Sequence, residues 1–183
     1  MVNAVLRGDR HAFGMLIKQT EGLVAQITFK MISSPGDRKD IAQDIYLKAF
    51  KNIGGFKFKS KLSTWVGQIA YNTCLHYLEK RRLVLLENYG TNDEGDEHQL
   101  PDESDNAEAL LSQQYLKTVL NKKLDQLQPL YKTLISLYHQ EELSYAEIAE
   151  ITALPEGTVK NYIFRARKQL RENILKNYKR DEL

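Results

Sequence analysis

LSYAEIAEITALPEGTVKNYIFRARKQL, residues 143–170, is the stretch on which the reading of the fold turns. Ser144 and Glu147 stand in the S-x-x-E spacing of a capping box, in which hydroxyl and carboxylate satisfy each other's backbone N–H groups, so a short helix starts there. Small Ala149 lets a second helix approach, Leu154 plugs the turn, and Val159 with Tyr162 or Ile163 seals the pair. That is helix-turn-helix spacing. The second helix then carries Lys160, Asn161, Phe164, Arg165, Arg167 and Lys168 on its remaining surface. An ordinary helical hairpin has no need of so cationic a face, whereas Arg and Asn side chains on a groove-inserted helix read base edges. Ala153 stands where many such motifs carry glycine, so the turn either avoids the left-handed region or bears strain. Glu156 suits the dipole of the helix it opens but repels a nearby phosphate.

Outward from this motif the chain reads as all-α. Helical spacing predicts helices at 107–127, 130–140, 144–152 and 156–178, punctuated by Pro129 and Pro155. Four prolines and ten glycines are few, and no strand-like alternation interrupts them. Upstream, the run from Arg10 to about Ile32 turns Phe13, Leu16, Ile17, Leu23, Val24, Ile27 and Met31 to one side, and Ser33-Ser34-Pro35-Gly36 is expected to break it. A second helix from Asp37 to Ile53 points Ile41, Ile45, Phe50 and Ile53 inward and Asp40, Gln43, Asp44 and Lys48 outward. A basic loop, Phe56-Lys57-Phe58-Lys59-Ser60-Lys61, leads to Ser63, a predicted N-cap, and to a helix through Trp65, Tyr71 and Asn72 that ends on Lys80-Arg81-Arg82.

The charge pattern divides the chain. The 183 residues carry a net charge of +2, but residues 1–90 hold 14 basic and 7 acidic residues, 91–110 hold 8 acidic and no basic ones, and 111–183 hold 12 and 9. Two basic bodies therefore flank an acidic strip too poor in apolar residues to offset its own ordering entropy. The expectation is two small helical domains, an N-terminal helical bundle (1–88) and a C-terminal helix-turn-helix domain (107–183), joined by an acidic flexible linker (89–106). Such a linker spans ~25 Å on average and ~70 Å at most. The lone Cys74 reads as a small buried residue and excludes a disulfide framework. No apolar run is long enough to cross a membrane, so a cytoplasmic protein without membrane insertion is expected.

With these motifs in order, the sequence resembles the extracytoplasmic-function (ECF) sigma factors, the RpoE-like subgroup of the sigma-70 family of bacterial RNA polymerase subunits. The resemblance rests on Gly8-Asp9-Arg10-His11-Ala12-Phe13, on the acidic-Gln-acidic helix Asp40 to Phe50, and on the Phe-rich loop. It continues through Thr64, Trp65, Ile69, Ala70 and Asn72, the basic helix end, and the terminal Phe164-Arg165-Ala166-Arg167-Lys168. It implies a subunit that binds core RNA polymerase through the largest-subunit clamp and flap regions, and that recognises and melts promoter DNA. An anti-sigma factor as inhibitory partner is implied as well.

Carried over residue by residue, the resemblance assigns Asp40, Gln43, Asp44 and Leu47 to core-polymerase binding. It assigns Phe56, Lys57, Phe58, Lys59, Lys61, Trp65, Tyr71, Asn72, Arg81 and Arg82 to the minus-10 element, and Lys160, Asn161, Phe164, Arg165, Arg167 and Lys168 to the minus-35 element. Melting costs stacking, which aromatic surfaces and an amide offset by capturing bases once they leave the duplex, while Lys and Arg hold phosphates. Asn72 falls at the family's base-reading position. Trp65 reads as a wedge or packing residue. Two rivals have less behind them. A helix-turn-helix regulator that is no polymerase subunit leaves the acidic helix and the basic aromatic loop without a purpose. A metal-dependent nuclease using Asp93, Glu94, Asp96 and Glu97 lacks a rigid site. No catalytic residue, metal, cofactor or small-molecule substrate is expected.

Overall fold

A computed structural model describes residues 1–87 and 110–178, with side chains over 1–82 and 118–175. Among the described residues there are eight α-helices and one short 3-10 turn: α1 (Val2–Leu6), α2 (Arg10–Met31), α3 (Pro35–Asn52), the 3-10 turn Ile53–Gly55, α4 (Leu62–Glu87), α5 (Leu110–Asp125), α6 (Pro129–His139), α7 (Tyr145–Thr152) and α8 (Glu156–Tyr178). The all-α, two-unit reading is what the structure has. The segment read as the acidic linker lies outside the described residues, as do Asp93, Glu94, Asp96 and Glu97. No helix among the described residues is long and apolar enough to cross a membrane.

Local chemistry sets the helix starts. Gly8 takes a φ of 86° that side chains disfavour, and the next residue, Asp9, caps α2 by accepting from His11 N (2.9 Å) and Ala12 N (3.1 Å). The predicted break at Ser33–Gly36 is shorter than expected, because Ser34 is the N-cap of α3 and Pro35 stands in its first turn, where its fixed φ suits a helix and its missing N–H costs nothing. Ser63 is not the N-cap of α4: the helix already includes Leu62, and the Lys61 carbonyl accepts from Trp65 N at 3.1 Å. The five-residue α1 had no periodicity to announce it.

In the first unit, Leu16, Leu23, Val24, Ile27 and Met31 of α2 meet Ile41 and Ile45 of α3 and Val66, Ala70 and Cys74 of α4. Phe50 was expected inward, but Ala49 takes the buried position and Phe50 stays half exposed, edge-on to Phe13 at 5.0 Å. Cys74 is fully buried, and burial pushes its thiol up to about 11, so it is inert. In the second unit, Leu134 and Leu137 of α6, Ile148 and Ile151 of α7, and Val159 and Ile163 of α8 form the helix-turn-helix core. Ile163 rather than half-buried Tyr162 completes the seal with Val159.

The two units are packed on each other. Their buried residues join into one hydrophobic cluster, with α7 against α4 and α6 against α2. Gly67 on α4 makes the close approach possible: a Cβ there would come within 3.1 Å of both Leu23 Cδ2 and Ile151 Cδ1. Lys61 Nζ lies 2.7 Å from Glu147 Oε1 and Lys30 Nζ 3.9 Å from Asp125 Oδ1, so charges bridge the seam as well.

Candidate functional site

The amphipathic pattern of α3 turns Ile41, Ile45 and Ala49 into the core and leaves the other side for Asp40, Gln43, Asp44 and Leu47. Asp40 and Gln43 are exposed, Leu47 is 57% exposed, and Asp44 is partly exposed with Lys48 Nζ at 2.7 Å. The structure thus brings all four together on one helix face. Beside them runs an apolar groove between α2 and α3, about 550 Å³ in volume and lined by Phe13, Ile17, Gln43, Tyr46, Leu47 and Phe50. Phe13, Ile17, Tyr46 and Phe50 were not read as surface residues, because a helical repeat does not tell a groove wall from a core position. Behind this face, Tyr77 Oη on α4 donates to Asp37 Oδ2 on α3 at 2.6 Å. That hydrogen bond, with a second from Ser34, holds the Asp37 carboxyl below its ordinary range.

The basic loop and α4 form a second surface. Lys57, Lys59, Lys61, Asn72, Arg81 and Arg82 are all exposed. Phe58 is 67% exposed and holds a φ of 56°, a left-handed conformation that an aromatic residue adopts only under constraint. It rests against Phe56 at 4.8 Å between ring centroids, and Phe56 against Trp65 at 5.5 Å. Phe56 itself is buried, and half-buried Trp65 packs on it. Tyr71, read as a stacking surface, is buried too, and desolvation raises its hydroxyl pKa. In this conformation Phe58 and Asn72 face outward while Tyr71 belongs to the core, because position 71 of α4 lies next to the core stripe of Ala70 and Cys74.

The third surface is the helix-turn-helix. The capping box is complete: Ser144 Oγ accepts from Glu147 N at 3.2 Å, and Ser144 N donates to Glu147 Oε2 at 2.9 Å. Hydrogen bonds from Lys61, the largest influence, and from Ser144 lower the Glu147 pKa to about 2. Lys61, expected to hold a phosphate, therefore spends its charge on the start of α7. Ala153 does adopt the left-handed conformation, at φ 56°, so the turn bears the strain rather than avoiding it. On α8, Asn161, Phe164, Arg165 and Lys168 are exposed, Phe164 at 68%.

Lys160 and Arg167 are exposed but engaged. Lys160 Nζ lies 2.8 Å from Glu156 Oε1 and 5.4 Å from the Tyr145 ring centre, and the Glu156 hydrogen bond raises its pKa. Arg167 Nε and Nη2 lie 3.1 and 2.9 Å from His139 Nε2, with Cζ 5.0 Å from the Tyr138 ring centre. Sequence reading missed Tyr138, His139 and Tyr145; their signal was three aromatic rings within eight residues that lead into the start of the motif.

Among the described residues no three His, Cys, Asp or Glu gather as a metal site. The three surfaces offer an acidic-apolar helix face, a cationic aromatic loop with an exposed amide, and a cationic helix shaped for a groove.

Comparison with known proteins finds relatives over most of the chain. The sigma-70 region 2 model matches residues 16–84 and the sigma-70 region 4 model residues 118–170. The chain is 34% identical over 180 residues to the ECF RNA polymerase sigma-E factor of Haemophilus influenzae, covering 95% of this chain and 93% of that one. It is 30% identical over 176 residues to the ECF RNA polymerase sigma factor SigW of Bacillus subtilis, covering 94% of each. Among solved structures, the fold is similar to the sigma factor RpoE in its complex with the anti-sigma factor NepR from Bartonella quintana, at a TM-score of 0.69 and 21% identity, covering 89% of this chain and 96% of that one. It is also similar to CnrH in complex with the cytosolic domain of CnrY, at a TM-score of 0.65 and 21% identity over 94% of each chain.

Proposed function

Since the chain belongs to the extracytoplasmic-function sigma factors of RNA polymerase, we propose that its three surfaces divide the work of initiation among them. The α3 face takes the core enzyme: Asp40, Gln43 and Asp44 meet a basic partner while Leu47 and the adjoining groove supply apolar area. The basic loop and α4 capture the minus-10 element, with Phe58 stacking on an extruded base and Asn72 reading its edge. Lys57, Lys59, Arg81 and Arg82 hold phosphates, and Lys61 joins them by exchanging Glu147 for one. The outward face of α8 enters the major groove at the minus-35 element, where Arg165 and Asn161 suit base edges and Phe164 a thymine methyl. The working units are 1–88 and 107–183, with 89–106 as the acidic tether.

The observation that carries this reading is that the acidic-apolar face of α3, Asn72 on α4 and the outward face of α8 are all exposed on one chain, each in the motif that the family resemblance assigns to that task. The chain brings no catalytic group, since the chemistry belongs to the polymerase, and it works in the cytoplasm under signal or stress control. An anti-sigma factor as inhibitory partner is supported by the two sigma factor complexes that share the fold and by the exposed groove beside Leu47, which a partner helix would fill.

Transcription in vitro with purified core polymerase on a genomic promoter library tests the reading. Asn72→Ala should relax minus-10 selectivity and leave core binding intact. Arg165→Ala should weaken upstream duplex binding by ~1–3 kcal/mol. Failure of the full chain to bind core enzyme would favour a helix-turn-helix regulator that is not a polymerase subunit.

A further inference from the structure

The six α8 side chains that sequence assigned to the minus-35 element do not share one stripe. At 100° per residue, Asn161, Phe164, Arg165 and Lys168 project away from the buried row of Val159, Ile163 and Ala166. Lys160 and Arg167, seven residues apart, lie instead on the flank that meets α6 and α7. There a row of side chains receives them. His139 Nε2 faces Arg167, whose guanidinium lies over Tyr138. Tyr138 stacks on Tyr145 at 4.8 Å and 17°, and Tyr145 lies under Lys160, the partner of Glu156.

An arginine with one face on a ring and two N–H groups committed to an imidazole nitrogen is not poised for bidentate contact with a base. Its bonds do something else: they tie the last residue of α6 to the middle of α8. We propose that Arg167 is a positioning residue that sets the angle of α8, and that neutral His139 is the latch that holds it, so that protonating His139 weakens the grip on the upstream element. The inference rests on the minus-35 reading of α8.

The chemistry requires the neutral ring. Arg167 has only donors to offer, so His139 Nε2 must carry a lone pair. The imidazolium has two N–H groups and no acceptor, and it would place a cation 2.9 Å from the guanidinium. The groups around the ring are Arg167 from α8, Tyr138 from α6 and Tyr145 from α7 behind it. Glu141 and Glu142 follow in the connecting turn, and Glu156 and Lys160 stand at the far end of the row. Burial and the Arg167 charge both lower the His139 pKa, which puts the release of the latch on the acid side of the ordinary histidine range.

The test assembles the full chain with core polymerase on promoter duplexes randomised across the upstream element, near neutrality and at about pH 5.5. His139→Gln keeps an acceptor for Arg167 and cannot titrate. Wild type should lose roughly three- to tenfold in upstream affinity on acidification relative to His139→Gln, the scale of one lost hydrogen bond. Arg167→Ala should be weak at both pH values, with its base preference unchanged at every position. A changed preference at one position under Arg167→Ala makes it a base reader and overturns the proposal, as does an equal pH response of wild type and His139→Gln. If Asn161→Ala and Arg165→Ala also leave the upstream preference untouched, the duplex reading of α8 fails and takes the proposal with it. That case is recognised separately, because the NMR titration of His139 would still move with Arg167→Ala.

Discussion

Gly67→Leu should pry the two helical units apart without melting either. Gly67 lies on α4 where α2 and α7 converge, and a Cβ built there would stand 3.1 Å from Leu23 Cδ2 and 3.1 and 3.2 Å from Ile151 Cδ1 and Cγ1. Carbon pairs are most comfortable at about 3.5–4.0 Å, so the first added carbon is already several tenths of an ångström too close. Leucine adds three more, and Ile151 is fully buried with no room to turn. Overpacking of this kind costs ~1–3 kcal/mol, while leucine in place of glycine gains up to ~1 kcal/mol of helix propensity. The helix therefore survives and the contact it faces gives way. Within the first unit α2 and α4 share a long core, whereas α7 belongs to the other unit, so the seam between units yields. Gly67→Ala, which has only the first carbon and ~0.5–1 kcal/mol of helix gain to set against it, should stay closed. Small-angle scattering reads the outcome: a compact chain of this length has a radius of gyration of roughly 16 Å, and the leucine variant should exceed it by several ångströms with unchanged far-UV helicity. An unchanged radius together with a lower unfolding midpoint would show that the units absorb the strain internally and refute the argument.

Glu147→Ala removes one half of the capping box and the partner of Lys61, and should cost ~1 kcal/mol of stability in a denaturant titration near neutrality. Because the Glu147 pKa is lowered to about 2, its contribution is fully present above the ordinary carboxylate value and is lost as pH falls through about 2; melting curves of wild type and variant should converge over that interval. Ala153→Gly relieves a left-handed alanine at φ 56° and should stabilise by up to ~1 kcal/mol, seen as a Tm higher by ~2–4 °C; a lower Tm would mean that the turn is not left-handed in solution. Phe58→Gly relieves the same backbone conformation on the basic loop and should raise Tm while reducing open-complex formation in a permanganate footprint, whereas a gain in both would deny Phe58 its stacking role.

The parts of the fold legible in the sequence were those whose cause is local. Ser144 and Glu147 announce α7 because a capping box closes within four residues, and Val24, Ile27 and Met31 announce α2 because one helix face suffices to show a core. Pro35 was misread because proline both stops a helix and starts one, and only the Ser34 cap separates the two cases. Phe50 was placed inside because hydrophobicity favours the larger of two neighbours that differ by 100° on a helix, yet the buried position beneath α3 is taken by Ala49. The seam between units left no signal at all: nothing in a helical repeat reveals that another unit supplies the wall where Gly67 meets Ile151. The site residues divide in the same way. Exposure followed from the helix pattern for Asn161 and Arg165, whereas Asn72 was singled out only by the family resemblance, and the partners of Lys61 and Arg167 are side chains brought in by other helices.

These pairings bear on how a DNA-binding chain behaves before DNA arrives. A cation aimed at a phosphate is repelled by its neighbours when no phosphate is near, so it takes the nearest available partner: Lys61 takes Glu147 and Lys160 takes Glu156. Exposed ion pairs are worth little, so the Lys160 pair opens at small cost when a phosphate competes. The Lys61 pair is different, because Glu147 Oε1 is shielded from solvent and has no hydrogen-bond partner but that ammonium to turn to. Moving Lys61 to a phosphate leaves that oxygen unsatisfied unless α7 draws away from α4 and admits water. On the proposed role of the basic loop, engagement of the minus-10 element and separation of the two units would be linked through one carboxylate, and Glu147→Gln, which has no charge to strand, should weaken that linkage.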